Sequence, residues 1–391
     1  MNTKKLDLGI AIIWGVSLAL GLLYNAFILP LATQNSGAEY IMKYATYLIC
    51  IAGSTFFLHW FAKKMSAFGT GKMFMLMFIP LVLASIVLHY TTGIDEIMAV
   101  TFIIGVLCPL FVQSLNQYIY QKHGILKTLG LMFLLIIAGY LCGGFNMFAL
   151  MSIATIITIA ASVFVYDVEN SKRWYVSLVI SAVILILSFS VISTLDENAK
   201  EIMFGYLAPK NNKTYWALYE NLKDIQLFKF EPASQFMNII QYEGSSIYMH
   251  LTDMFGIIVS GLLIITQIIG FILMKLRSKL LTNKNCRIFG VMMTLTIGLQ
   301  ILFSLGSSFC RGPINDSGIP FISCKGLELS LVPYLMFILN IIADKNCVAE
   351  KYPSSSAKQK QKQNKKKPLY AYIFEFIGLE DDIEKIEEWR R

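Results

Sequence analysis

The chain has 391 residues, 56% of them hydrophobic and only 15% charged, with a formal net charge of +8. A soluble domain carries about 25% charged residues, so this composition excludes an ordinary water-soluble fold. Apolar runs recur along the whole length, which excludes a soluble domain on a single anchor, and they are continuous rather than alternating, which argues against a membrane barrel. The expected class is all-α, a polytopic integral membrane protein. Its positive charge is then read loop by loop rather than as a nucleic-acid footprint, and no nucleic-acid partner is expected.

The first predicted span covers 8–29 and ends at Pro30. Lys4 and Lys5 precede a run too long for a signal-peptide core, and no small-residue cleavage site follows, so no cleavable signal is expected. The second span, 41–62, meets Lys63 and Lys64; the third is 73–89; the fourth, 97–118, ends near Lys122, His123 and Lys127. The fifth and sixth share 129–165, hinged near Gly143 and Gly144, and Lys172 and Arg173 follow. The seventh is 175–195.

The pattern then breaks. Residues 196–250 form a polar segment far above ordinary loop lengths, and loops of that size are usually functional. The eighth span, 249–276, carries Asp253 at its start and then no charge until Lys275, a run of the length that crosses a bilayer. The ninth is 288–309. A second loop containing Cys310 and Cys324 leads to the tenth, 327–342. Those two cysteines can bridge only if the loop faces an oxidising space.

Basic loops follow the second, fourth, sixth and eighth spans and flank both ends of the chain, in alternation with loops poor in Lys and Arg. The positive-inside rule therefore predicts about ten spans, both termini cytoplasmic and the 196–250 loop outside. The expected organisation is a membrane domain over 1–345, a basic low-complexity linker over 346–368 and a cytoplasmic amphipathic helix over 369–391. In the linker, Lys358, Lys360, Lys362, Lys365, Lys366 and Lys367 suit anionic membrane lipid at about 1 kcal/mol each, or a solvated spacer. The last segment places Leu369, Ile373, Phe376 and Ile377 at helical spacing.

No glycine-rich phosphate loop appears, so no nucleotide is expected. No HExxH box, CxxC pair, Cys/His cluster or nucleophile elbow is present. His59 and His89 lie within or at the end of apolar runs and read as packed or interfacial side chains. Chemistry therefore falls to outward carboxylates: Asp253, Glu231, Glu243, Asp316 and Glu328. Asp253 has two readings. It is a good helix cap together with Thr252, and it is an ionisable group at the edge of hydrocarbon, a functional candidate by default. His250 lies three residues before it. A carboxylate there can act as general base or hold a divalent cation beside a phosphate leaving group.

The segment GLQILFSLGSSFCRGPINDSGIPFISCKG resembles the penultimate signature of the shape, elongation, division and sporulation family, the RodA/FtsW glycosyltransferases, whose pattern is roughly Q-x5-G-x6-P-x2-G-x-PLPFISYGG. Gln300, Gly306, Pro313, Pro320, Phe321, Ile322, Ser323 and Gly326 match it without a gap, while Asp316, Gly318, Cys324 and Lys325 depart from it. Leu251, Thr252 and Asp253 resemble the family's His-Thr-Asp, and Gly261 and Leu262 stand where its paired acidic residues follow. The resemblance implies a multi-pass enzyme of the bacterial cytoplasmic membrane that polymerises lipid II into peptidoglycan strands during elongation or division, releasing undecaprenyl pyrophosphate. It implies Asp253 as base and as ligand of a divalent cation, Mg or Mn. Thr252, His250, Ser323, Lys325 and Gln300 are expected on the substrate side, with Ser323 and Lys325 lining the cavity's outer rim, and a class B penicillin-binding protein as partner. The other reading is a non-enzymatic scaffold or lipid-linked precursor transporter that binds such a partner.

Overall fold

The computed structural model describes residues 3–28, 41–42, 45, 103–121, 123–169, 171–195, 207, 226–228, 247–309 and 318–351. The predicted second and third spans, most of the 196–250 loop, and the 352–391 tail with its amphipathic helix lie outside them. Among the described residues the structure is helical, with no strand.

Helix α1, Thr3–Leu23, runs into a single π-helical turn, Tyr24–Ile28. A second π turn, Ile103–Leu107, leads into α2, Cys108–Tyr118. Then come α3, Gly124–Tyr166, and α4, Ser171–Leu195. The short α5, Ile247–Phe255, precedes α6, Ile257–Lys279. Helix α7, Lys284–Ser308, and α8, Cys324–Lys351, complete the set. Helix α8 continues past the expected span end and carries helical structure into the first residues of the predicted linker. Among the described residues six stretches are long and apolar enough to cross a membrane: Thr3–Phe27, Gly124–Leu141, Met147–Tyr166, Ser171–Ile192, Ile257–Lys279 and Lys284–Ser308. The chain is a polytopic helical membrane protein.

Helix α3 is folded double. A straight helix of its 43 residues would measure about 65 Å, yet the Tyr120 hydroxyl, just before it, donates to the Tyr166 carbonyl at its far end at 3.0 Å. A methyl placed on Gly139 would sit 3.3 Å from Met151 Cγ and 3.5 Å from the Met147 oxygen, contacts only a reversal between 141 and 147 allows. The hinge expected near Gly143 and Gly144 is therefore a turn between two spanning arms.

Helix α7 is the hub. Of its apolar window 67% is buried, against 17% for α4, so α4 presents most of its side chains outward while α7 packs against α2, α3, α6 and α8. Helix α1 lies on α6, where Gly270 leaves room for Trp14: a methyl there would approach Trp14 Cζ2 to 2.7 Å.

Fixed side-chain contacts gather the ends of these helices into two poles. At one, Asp7 at the start of α1 pairs with Arg277 at the end of α6 at 2.5 Å and with Lys345 near the end of α8 at 3.4 Å. Asp344 accepts from the amides of Thr282 and Asn283, at 2.9 and 2.7 Å, fixing the α6–α7 turn. Tyr166 donates to Asn285 Oδ1 and carries Lys284 over its ring. The basic loops that the described residues include thus share one pole, as the alternation of charge predicts. At the other pole Tyr24 meets His250 and Asn25 meets Ile322.

Arg277 is 3% exposed, so replacing Asp7 with Asn strips a buried guanidinium of its nearest counter-charge. Breaking a buried pair costs about 3–5 kcal/mol; Asp7 is 28% exposed, which brings the expected loss to about 2–3 kcal/mol. D7N should melt earlier in detergent, and adding R277M should recover most of the loss.

Candidate functional site

The site forms where three short-range signals meet at the non-basic pole: the break before α6, the π turn after α1 and the turn before α8. The expected eighth span is not one helix. Gly256, at φ +83, ends α5 and starts α6, a backbone conformation that glycine adopts without penalty. The first amides of α6, Ile257 and Ile258, donate to the carbonyls of Gln226 and Leu227, at 3.1 and 3.4 Å. A methyl on Gly256 would lie 2.4 Å from the Leu227 oxygen, so the glycine also admits this strap of the long loop. The capping reading of Thr252 and Asp253 is thereby corrected: the cap position of α6 is Gly256, and backbone carbonyls of the 196–250 loop satisfy its amides. Asp253 instead sits in the last turn of α5, the end of a helix that disfavours a carboxylate.

Asp253 is half-buried, with Oδ2 shielded from solvent. Thr252 is buried; its hydroxyl donates to the Tyr248 carbonyl at 2.6 Å and lies 2.8 Å from Ser260 Oγ, tying α5 to α6 across the break. His250 is fully buried, and its Nδ1 lies 2.8 Å from the Tyr24 hydroxyl. Burial pushes its imidazole down to about 4, which the neighbouring Asp253 carboxylate only partly offsets, so the ring is neutral at pH 7.

The turn before α8 is held by its backbone. Ser304 of α7 donates to the Gly318 carbonyl. Gln267 of α6 donates to the Pro320 carbonyl at 3.4 Å and to Ser17 of α1 at 3.1 Å. The Phe321 amide donates to Ser330 of α8 at 3.1 Å. Asn25 of the π turn after α1 donates to the Ile322 carbonyl and to the Gly21 carbonyl, each at 2.7 Å. Three helices and that π turn thus each supply one latch to one turn. Within it Phe321 adopts φ +63, a strained region for a bulky residue, and its buried ring packs on Trp14, with centroids 4.7 Å apart, and edge-on to Tyr334.

Ser323 is 2% exposed, and its hydroxyl donates to the Ile319 carbonyl at 3.4 Å. Gln300 is buried in α7, one helical turn before Ser304. Lys325 lies in the first turn of α8, and its side chain is outside the described residues, as are Glu231, Glu243 and Asp316. Tyr24, Asn25, Ser304 and Ser330 were not singled out from the sequence. The available signal was faint: a Tyr-Asn pair in an apolar run, and serines that pass for ordinary membrane-helix residues.

Among the described residues no three His, Cys, Asp or Glu side chains converge to hold a metal. Asp253 alone is a donor set of the kind Mg²⁺ uses when substrate phosphates and water complete its shell. A cleft of about 380 Å³ lined by Tyr120, Asp167, Arg173 and Trp174 lies at the basic pole, away from Asp253.

No protein-family model matches the chain, and no curated protein sequence matches it. Its fold is similar to that of a chain in a solved structure described as "Structural coordination of polymerization and crosslinking by a peptidoglycan synthase complex": TM-score 0.59 at 12% identity, over 87% of this chain and 98% of that one.

Two outcomes follow from this geometry. Gly256→Ala should loosen the strap, so the Ile257 and Ile258 amides should exchange hydrogen at least tenfold faster, a loss of more than about 1.4 kcal/mol in local stability. His250 binds its proton less readily folded than unfolded, so the unfolded state takes up more protons as pH falls from 6.5 toward 4 and stability falls in that window. A His250→Gln variant should lose less melting temperature than wild type over that range.

Proposed function

We propose that the chain acts in peptidoglycan synthesis, as a membrane glycosyltransferase that polymerises lipid II. The observation that carries this reading is the shared fold, which spans 98% of a chain from a peptidoglycan synthase complex and sets Asp253 at a broken helix end where capping no longer explains it. By the positive-inside rule the basic pole is cytoplasmic and the Asp253 pole extracytoplasmic, where lipid-linked precursors are joined.

In this proposal the half-buried Asp253 carboxylate takes the proton of the acceptor sugar's 4-hydroxyl. The freed oxygen bonds to the donor's anomeric carbon as the bond from that carbon to the pyrophosphate oxygen breaks, and the undecaprenyl pyrophosphate leaves with the bonding electrons. Asp253 would be the protein ligand of a divalent cation, which would supply charge neutralisation at the pyrophosphate. The latched turn gives the site a rigid wall, which a reaction sensitive to small misplacements requires. The neighbouring strap of the long loop would close the site from outside. The partner would be a class B penicillin-binding protein, in cell elongation or division.

One observation favours the second reading, a scaffold or precursor transporter bound to such a partner. The places of the family's acidic pair on α6 are taken by Gly261, with nothing within 4 Å of where its methyl would stand, and by Leu262, 61% exposed. The test is Asp253→Asn, which keeps size and removes the base. Strand formation from lipid II, with the purified chain and its transpeptidase partner, should fall at least a hundredfold. Unchanged polymer would sink the enzymatic reading, and a wild-type chain that binds the partner yet makes no polymer would establish the scaffold.

A further inference from the structure

Tyr24 and His250 are 226 positions apart in the chain, and both are buried, at 2% and 0% exposure. Their rings meet edge to face at 5.8 Å, with Oη 2.8 Å from Nδ1. The contact depends on a local irregularity. Tyr24 opens a π turn at the end of α1, and such turns recur at functional positions because they re-aim side chains that a regular helix would direct elsewhere. The next residue, Asn25, uses the same turn to hold the Ile322 carbonyl. Two adjacent residues of α1 thus reach both segments that carry the family resemblance, α5 and the turn before α8. Nothing in the reaction proposed above uses Tyr24.

We infer that Tyr24 is a positioning residue: its phenol donates to His250 Nδ1 and fixes the neutral imidazole as the Nε2–H tautomer, a donor on the Asp253 face of α5. This rests on the reading of Asp253 as the base and adds the group that works beside it. A phenol O–H is a stronger donor than a neutral imidazole N–H, and an imidazole nitrogen is a stronger acceptor than a phenol oxygen, so the bond runs from Tyr24 to His250. The other ring nitrogen must then carry the proton. His250 and Asp253, three residues apart on one helix, share a face, and Nε2 and Asp253 Oδ2 are both shielded from solvent. A neutral N–H on that face keeps a donor near the carboxylate without placing a positive charge against the base. Without the phenol the ring would populate both tautomers and lose its orientation.

The first test is spectroscopic and independent of turnover. In the full chain, labelled with ¹⁵N-histidine, the His250 signals (identified by their loss in His250→Gln) should show a protonated Nε2 and a bare Nδ1. Tyr24→Phe should convert them to a tautomer mixture. The second test is strand formation from lipid II with the transpeptidase partner. Y24F should lower turnover roughly tenfold with KM little changed, the size of one lost hydrogen bond. Glutamine places its N–H where Nε2–H stands, and asparagine where Nδ1 stands. H250Q should therefore lose no more than threefold, H250N the full tenfold, and Y24F should add nothing on the H250Q background. A wild-type Nδ1–H tautomer overturns the inference. So does a Y24F loss of equal size with or without H250Q, which would mark Tyr24 as packing only. If D253N leaves polymerisation intact, the base reading falls, while the tautomer measurement still decides the role of Tyr24.

Discussion

The polar pole depends on a turn whose backbone is gripped from four directions. Ser304, Gln267, Ser330 and Asn25 come from α7, α6, α8 and the π turn after α1, and each meets a main-chain group between Gly318 and Ile322. In the interior of a membrane protein an unpaired carbonyl or amide costs several kcal/mol, so an irregular turn at that depth persists only where side chains replace water. The same grip stabilises the left-handed Phe321 and seats its ring between Trp14 and Tyr334.

The two poles are built from different chemistry. The basic pole relies on charge: Asp7 with Arg277 and Lys345, and Asp344 on the α6–α7 turn. The opposite pole relies on neutral hydrogen bonds, with His250 kept uncharged by burial and Asp253 as the carboxylate of α5. The charged pole is suited to holding helix ends in register.

The break at Gly256 links these themes. It separates the helix that carries Asp253 from the span beneath it and admits the carbonyls of Gln226 and Leu227 to the exposed amides of α6. The segment carrying Gln226 and Leu227 is therefore part of the site's framework at that point. Thr252 bridges the break through Ser260, so α5 is tethered on both sides of its glycine joint.

The membrane class, the alternation of basic loops and the hinge in the fifth and sixth spans were legible in the sequence, because hydrocarbon imposes a length and a polarity that any spanning helix must obey. Asp253 was also legible, since a single carboxylate at the edge of an uncharged run stands out. Its surroundings were not. A helix continuing from Met249 through Gly256 costs only one glycine's propensity, about 1 kcal/mol, and the approach of the Leu227 carbonyl shows why glycine is there. Ser323 matched a motif, but its burial is a product of the fold. Tyr24 and Asn25 carried no pattern, because the partners that give them meaning lie 226 and 297 positions away. Composition and spacing determined what crosses the bilayer and where charge must lie; which neutral side chains meet was decided by tertiary packing, since a hydrogen bond between distant segments leaves no period in the chain.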